Sequence, residues 1–272
     1  MAKRLISALV GVVILFSVYF LKNDVVFNIA VVIVSIIGLN EFYHAVRQIN
    51  IKPIEWVGYI CCLLLGLIGF VSESVLLPFL VLIMPISFAI ISLVATMSDL
   101  KINFIDIACT LMGIIYVPLM FAFLILLWQM KNGYLFVWFV FGGAWMTDVF
   151  AYLVGKAIGK HKFSKTSPNK SIEGCIGGLI GSSLFYGIYS YYLNTNFLAQ
   201  TNVELNIALM TFLGVIISAI AQIGDFSASA IKRHCKIKDF GKIMPGHGGI
   251  LDRFDSIIMI IPFVYILCEF II

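Results

Sequence analysis

"LNIALMTFLGVIISAIAQIGDFSASAIKR", residues 205–233, is the stretch on which the fold turns. From Leu205 to Ala221 it carries no charge, and about twenty residues of this kind reach across a hydrocarbon core as one helix. The polar groups come at its far end. Gln222, Asp225 and Ser229 are spaced to line one helical face, and Lys232-Arg233 mark the exit. A carboxylate at that depth is costly unless it is paired or wet, and it points to function by default. A plain ion pair between Asp225 and a nearby lysine is the competing reading.

The rest of the chain follows the same pattern. Of 272 residues, 61% are hydrophobic and 12% charged, with a mean hydropathy of +1.06; a soluble domain carries about twice that share of charge. The apolar runs are continuous, without the period-two alternation of a membrane β-strand. The expected fold is therefore all-α: a polytopic membrane protein of about nine transmembrane helices. The spans fall at about 4–21, 25–46, 54–71, 75–97, 103–127, 134–155, 174–192, 205–231 and 255–272. Leu5–Phe20 follows Lys3-Arg4 like a leader, but Leu21-Lys22-Asn23 offers no small-residue cleavage site, so a retained first helix is expected. The six cysteines mostly lie inside apolar runs without a C-x-x-C pair, which favours small-residue packing over zinc or disulfides.

Charge sets the expected orientation. With these spans, sixteen of the eighteen lysines and arginines fall on one side; Lys22 and Lys131 fall on the other. The positive-inside rule then places the N-terminus and the basic loops in the cytoplasm, with the protein in the cytoplasmic (inner) membrane. Two of these loops, 156–173 and 232–254, are long. Residues 1–132 read as scaffold helices and 133–272 as the region of polar chemistry, both within one membrane domain.

The most polar segment is "KDFGKIMPGHGGILDRFD", residues 238–255, with six charges, a histidine and four glycines. "PGHGG" cannot be helical; its glycines let the backbone approach a ligand and free amide N–H groups for anionic oxygens. Asp252 and Asp255 share one face of the next helix's first turn, where acids also serve as simple caps. His247 alone would read as an ordinary loop histidine. Upstream, Asp148 and Tyr152 share a face in "TDVFAYLVGK". "SPNKSIEG", residues 167–174, then supplies Ser167, Lys170 and Ser171, the last a candidate N-cap. The glycine pairs 174/178 and 177/181 have small-xxx-small spacing and read as helix-packing faces. No G-x-x-x-x-G-K-[ST] is present, which excludes a Walker nucleotide site. Carboxylates able to hold Mg²⁺ and basic residues able to hold phosphates thus gather near one membrane face.

"SAIKRHCKIKDFGKIMPGHGGILDRFD", residues 229–255, resembles the signature of the phosphatidate cytidylyltransferase (CDP-diacylglycerol synthase) family. The matching positions are Ser229, Lys232, Arg233, Lys238, Asp239, Gly241, Pro245, His247, Gly248, Gly249, Asp252, Arg253 and Asp255, with Met244 as a minor apolar exchange. The Asp-x-x-Ala-Tyr of Asp148–Tyr152 and "SPNKSIEG" are weaker echoes; Asn169 and Ser171 depart from the usual pattern and leave Lys170 as the single lysine there. The resemblance implies transfer of the cytidylyl group from CTP to phosphatidate, giving CDP-diacylglycerol and pyrophosphate with Mg²⁺. It further implies Asp225 and Asp252 as the metal-binding pair and, with Lys238 and Arg253, as the catalytic set. Asp148, Ser167, Lys170, Ser171, Ser229, Lys232, Arg233, Asp239, His247, Gly248, Gly249 and Asp255 are the implied substrate-binding residues. Membrane lipids are implied partners and nucleic acid is not; a homodimer and a second, monovalent cation stay open. Two other functions remain in view: a CTP-dependent lipid kinase of the polyprenol type, and a transporter. The visible absence of an internal repeat weighs against the transporter.

Overall fold

The computed structural model describes residues 2–70, 73–98, 101–163, 167, 170–199, 203–244, 246 and 248–271. Pro168, Asn169, Pro245 and His247, among the motif residues above, lie outside them. The described chain is all-helical: α1 (Ala2–Leu21), α2 (Asp24–Arg47), α3 (Glu55–Gly66), α4 (Glu73–Met97), α5 (Phe104–Ile114), α6 (Met120–Gln129), α7 (Gly133–Ile158), α8 (Ile172–Leu193), α9 (Ile207–His234) and α10 (Leu251–Ile271). α5 runs into α6 through a π-helical turn, Ile115–Leu119, that contains Pro118, which lacks the N–H that a regular turn would need.

The helix limits track the expected spans within a few residues. Among the helix starts the largest difference is at α10, which starts at Leu251 rather than 255 and so takes Asp252 into its first turn. Among the described residues four helical stretches are long and apolar enough to cross a membrane, against the nine expected: Asp24–Arg47, Phe104–Gln129, Gly133–Ile158 and Ile207–His234. Three of the others fall short for local reasons. α3 gives way to a 3₁₀ turn at Leu67–Phe70, α8 is diluted by Gly, Ser and Tyr, and α10 carries charges at both ends.

The chain divides into two compact units. The first is Met1–Tyr134 with Ile231–Phe254; the second is Leu135–Ala230 with Asp255–Ile272. In the first, Asn23 caps α2 by accepting the Val26 N–H. Asn103 and Asp106 form a reciprocal capping box on α5. Asp106 also accepts the Lys52 N–H at 2.7 Å, and Thr110 accepts the Ile54 N–H at 2.9 Å, which ties the α2–α3 connection to α5. Phe27 stacks on Trp128 at 4.0 Å between centroids, and the Trp128 indole N–H donates to Asp24.

In the second unit the glycine face of α8 lies on α7, as its spacing suggests. A side chain at Gly177 would meet Val154, one at Gly181 would meet Phe150, and one at Gly174 would meet the Ala151 carbonyl. In an apolar solvent such close backbone approach is the main source of helix association. The Thr147 hydroxyl donates to Ser218 at 2.9 Å, a bond between membrane helices of the kind worth about 0.6 kcal/mol. All six cysteines are free, and four of them are buried.

Candidate active site

In the first unit, the start of α10 is built around Asp252. Its side chain is 3% exposed. One oxygen, Oδ1, accepts from Lys232 Nζ at 2.8 Å. The other, Oδ2, accepts the backbone N–H groups of Phe240 at 2.8 Å and Gly249 at 2.9 Å. Lys232 is itself mostly covered and lies over the Phe240 ring. A helix start leaves N–H groups without intrahelical partners, and here carboxylates satisfy them. The next two, Ile250 and Leu251, donate to Glu41 Oε1 and Oε2 at 3.0 and 2.8 Å. Glu41 comes from α2 and is 4% exposed.

This arrangement explains the glycines. Gly248 has φ +91°, a left-handed conformation, and a Cβ there would lie 2.8 Å from Asp252 Oδ2. A Cβ at Gly249 or at Gly241 would collide with the Glu41 carboxylate. The expectation that Gly249 leaves its amide free for a ligand anion is therefore corrected. That N–H is taken by Asp252, and the space beside it is taken by Glu41. Met244 donates to the Gly248 carbonyl at 2.9 Å and closes the turn.

In the second unit, the polar face expected on α9 is present. Asp225 Oδ2 is ion-paired with Lys170 Nζ, and Asp225 Oδ1 accepts from the Ser229 hydroxyl at 3.5 Å. Gln222 donates to the Cys175 carbonyl at 3.1 Å. Lys170 Nζ also stands 4.5 Å from the centre of the Phe226 ring. Phe226 in turn stacks almost parallel on Phe163 at 4.4 Å. Lys170 reaches Asp225 because its loop folds back: Phe163 donates to the Lys170 carbonyl, Ile172 donates to the His161 carbonyl, and Lys170 donates to the Ser167 carbonyl. Ser171 caps α8 through the Gly174 N–H. Glu173, one residue into α8, accepts from the His161 backbone N–H and pairs with the His161 ring at 2.6 Å. Its own backbone N–H, and then His161, hold its carboxyl down to about 2.

The remaining candidates lie at the surface. Asp148, Arg233, Lys238, Asp239 and Arg253 are exposed, and Asp255 is half-buried, accepting the Ser256 N–H. His247 lies outside the described residues. Glu41 and the amide of Phe240 went unrecognised in the sequence. For Glu41 the signal was there: a lone acid in the apolar stretch "VVIVSIIGLNEFYHAV".

Each aspartate, taken within its own unit, carries donors of the type that Mg²⁺ takes. Among the described residues no three His, Cys, Asp or Glu side chains form a metal cage. A hard cation that takes one or two carboxylates plus substrate phosphates and waters does not need one. Asp252 can offer such an ion Oδ1, in place of Lys232, because Oδ2 is occupied by backbone. Asp225 offers oxygens countered by Lys170 and Ser229.

Comparison with known proteins converges on one family. The phosphatidate cytidylyltransferase of Staphylococcus aureus is 33% identical over 272 residues, 98% of each chain, and that of Staphylococcus epidermidis is 31% identical over 271 residues, again 98% of each. The Staphylococcus haemolyticus enzyme of that name is 39% identical over 172 residues, 63% of this chain and 62% of its own. A model of the Cytidylyltransferase family matches residues 2–271, and with the charged turn of residues 238–255 inside that match, the chain belongs to this family.

Proposed function

We propose that this protein transfers the cytidylyl group of CTP to phosphatidate, forming CDP-diacylglycerol and pyrophosphate. A phosphate oxygen of phosphatidate attacks the α-phosphorus of CTP. The new P–O–P linkage forms as the bond from the α-phosphorus to the bridging oxygen breaks, and pyrophosphate leaves with the electron pair. A phosphomonoester with a second pKa of about 6 is mostly dianionic at neutral pH, so the attacking oxygen needs no base. The protein's task is to position two polyanions and neutralise charge.

The observation that carries this reading is the buried Asp252–Lys232 pair, held by backbone amides inside the motif that defines the family resemblance. Asp225 and Asp252 are the carboxylates we assign to Mg²⁺, which when bound supplies charge neutralisation at the transferring phosphate. Lys170 and Lys232, each already set against an aspartate, present cationic heads for nucleotide phosphates. The exposed Lys238, Arg253 and Arg233 extend that charge along the loop and helix ends. Asp148, Ser167, Ser171, Ser229, Asp239, His247, Gly248 and Asp255 complete the assignment on the strength of the motif. We assign nine spans and a cytoplasmic face for the two basic loops, supported by run length and by the distribution of lysine and arginine.

Purified protein given labelled CTP and phosphatidate with Mg²⁺ should release pyrophosphate and form CDP-lipid. Formation of CDP and a newly phosphorylated lipid instead would make it a lipid kinase and overturn the reading. Cysteines placed at 160–170 or 236–244 should react from the cytoplasm alone; labelling from outside intact cells would reverse the orientation.

A further inference from the structure

We propose that Glu41 is a positioning residue for this reaction: from α2 it clamps the start of α10, and thereby sets the direction in which Asp252 presents Oδ1 to Lys232. The inference rests on the cytidylyl-transfer reading. A carboxylate that is 4% exposed on a helix built to cross a membrane is costly unless its oxygens are satisfied. Glu41 spends both oxygens on consecutive amides, Ile250 and Leu251, which follow it by more than two hundred residues.

Three further observations make the clamp specific. Gly249 and Gly241 each lack a side chain where the Glu41 carboxylate sits, so both ends of the 241–249 turn close on it. Asp252 grips the same two ends from the other side, through the amides of Phe240 and Gly249. The amides of residues 249, 250 and 251 are thus shared between two carboxylates: the first goes to Asp252, the next two to Glu41. With Oδ2 fixed in this way, Asp252 turns Oδ1 toward Lys232. Glu41 touches neither of these groups in the hydrogen-bond pattern; it acts through the backbone between them. If the clamp fails, the α10 start moves, and Asp252 moves relative to Lys232 at the end of α9.

The test uses two near-isosteric variants of the full-length protein in detergent or lipid. Glu41→Gln keeps the shape but turns an NH₂ toward an N–H. Glu41→Asp keeps the charge and both acceptors but is one methylene short. For Glu41→Gln, kcat should fall and the Mg²⁺ concentration for half-maximal rate should rise, each by about tenfold or more, the range seen when an outer partner of a metal ligand is lost. Glu41→Asp should be less affected on both measures. Hydrogen exchange of the amides of residues 249–251 should accelerate in Glu41→Gln while the amides of α5 and α6 stay protected. A structural role alone predicts that activity drops with the folded fraction and that the Mg²⁺ requirement stays put; that result would overturn the proposal. So would kinetics and exchange within twofold of the parent protein. If the parent protein itself makes no CDP-lipid, the functional reading has failed, and the exchange measurement still decides whether Glu41 holds the α10 start.

Discussion

Asp225, just ahead of the motif at 229–255, and Asp252, within it, are held in different ways. Asp252 is sealed in, with a lysine on one oxygen and two backbone amides on the other. Asp225 is partly open at 21% exposure, with a lysine from a surface loop and a more distant serine hydroxyl. The amides at Asp252 belong to the fold and cannot rotate away, whereas the partners of Asp225 are side chains that can exchange. One carboxylate is built as a fixed reference and the other as an adaptable arm, and each way of breaking this contrast has a different expected size.

The largest effect is on turnover. Asp225→Asn and Asp252→Asn should each abolish formation of CDP-lipid at saturating Mg²⁺, but they should separate on stability. Asp252→Asn strands Lys232 in a covered site, and breaking a buried pair costs roughly 3–5 kcal/mol, whereas Asp225→Asn should cost about 1 kcal/mol or less. Thermal or denaturant unfolding of the two variants measures the difference; equal losses would erase the contrast.

The lysines test the same point from the other side. Lys232→Met leaves the Asp252 carboxylate buried without its cation, and should destabilise by about 3 kcal/mol or more. Lys170→Met, whose side chain is 27% exposed, should lose about 1 kcal/mol or less while still weakening CTP binding. Unfolding curves and CTP titration together separate the two.

The glycines come next. Gly249→Ala should already impair activity, because its methyl group meets the Glu41 carboxylate, and Gly248→Val should do worse through its positive φ and its contact with Asp252. A freely tolerated Ala at 249, in rate and in Mg²⁺ requirement, would show that the turn is a simple hinge.

The smallest effect is in the loop that carries Lys170. The carboxyl of Glu173 is held at about 2, below its ordinary value of 4.5. A depressed carboxyl contributes fully above its unfolded pKa and loses that contribution as pH falls through the folded one. The extra protection that Glu173 gives the His161 amide should therefore be constant above about pH 4.5 and vanish toward pH 2. Hydrogen exchange of the parent protein against Glu173→Gln measures it; a difference that disappears near neutral pH would contradict the clasp.

Much of the candidate site was legible beforehand, for identifiable reasons. The face of Gln222, Asp225 and Ser229 follows from helical spacing, and the Ser171 cap and the α8 glycine face follow from local rules about helix ends and small residues. The lysine that would pair with Asp225 was not legible, because Lys170 reaches it through a folded-back loop. Glu41 was visible as an acid in an apolar run, but nothing nearby in sequence names its partners.

The amino-acid sequence by itself determined the environment and the helices, because run length, charge and helical period act over a few turns of chain. It also determined which residue types could meet phosphate and metal. Tertiary structure alone decided what the glycines are for. Gly241, Gly248 and Gly249 have no side chains because two carboxylates, one from α2 and one from α10, occupy that space. The physical reason is that a buried amide must find an acceptor wherever the fold brings one, and the acceptor for Leu251 comes from Glu41, over two hundred residues away along the chain.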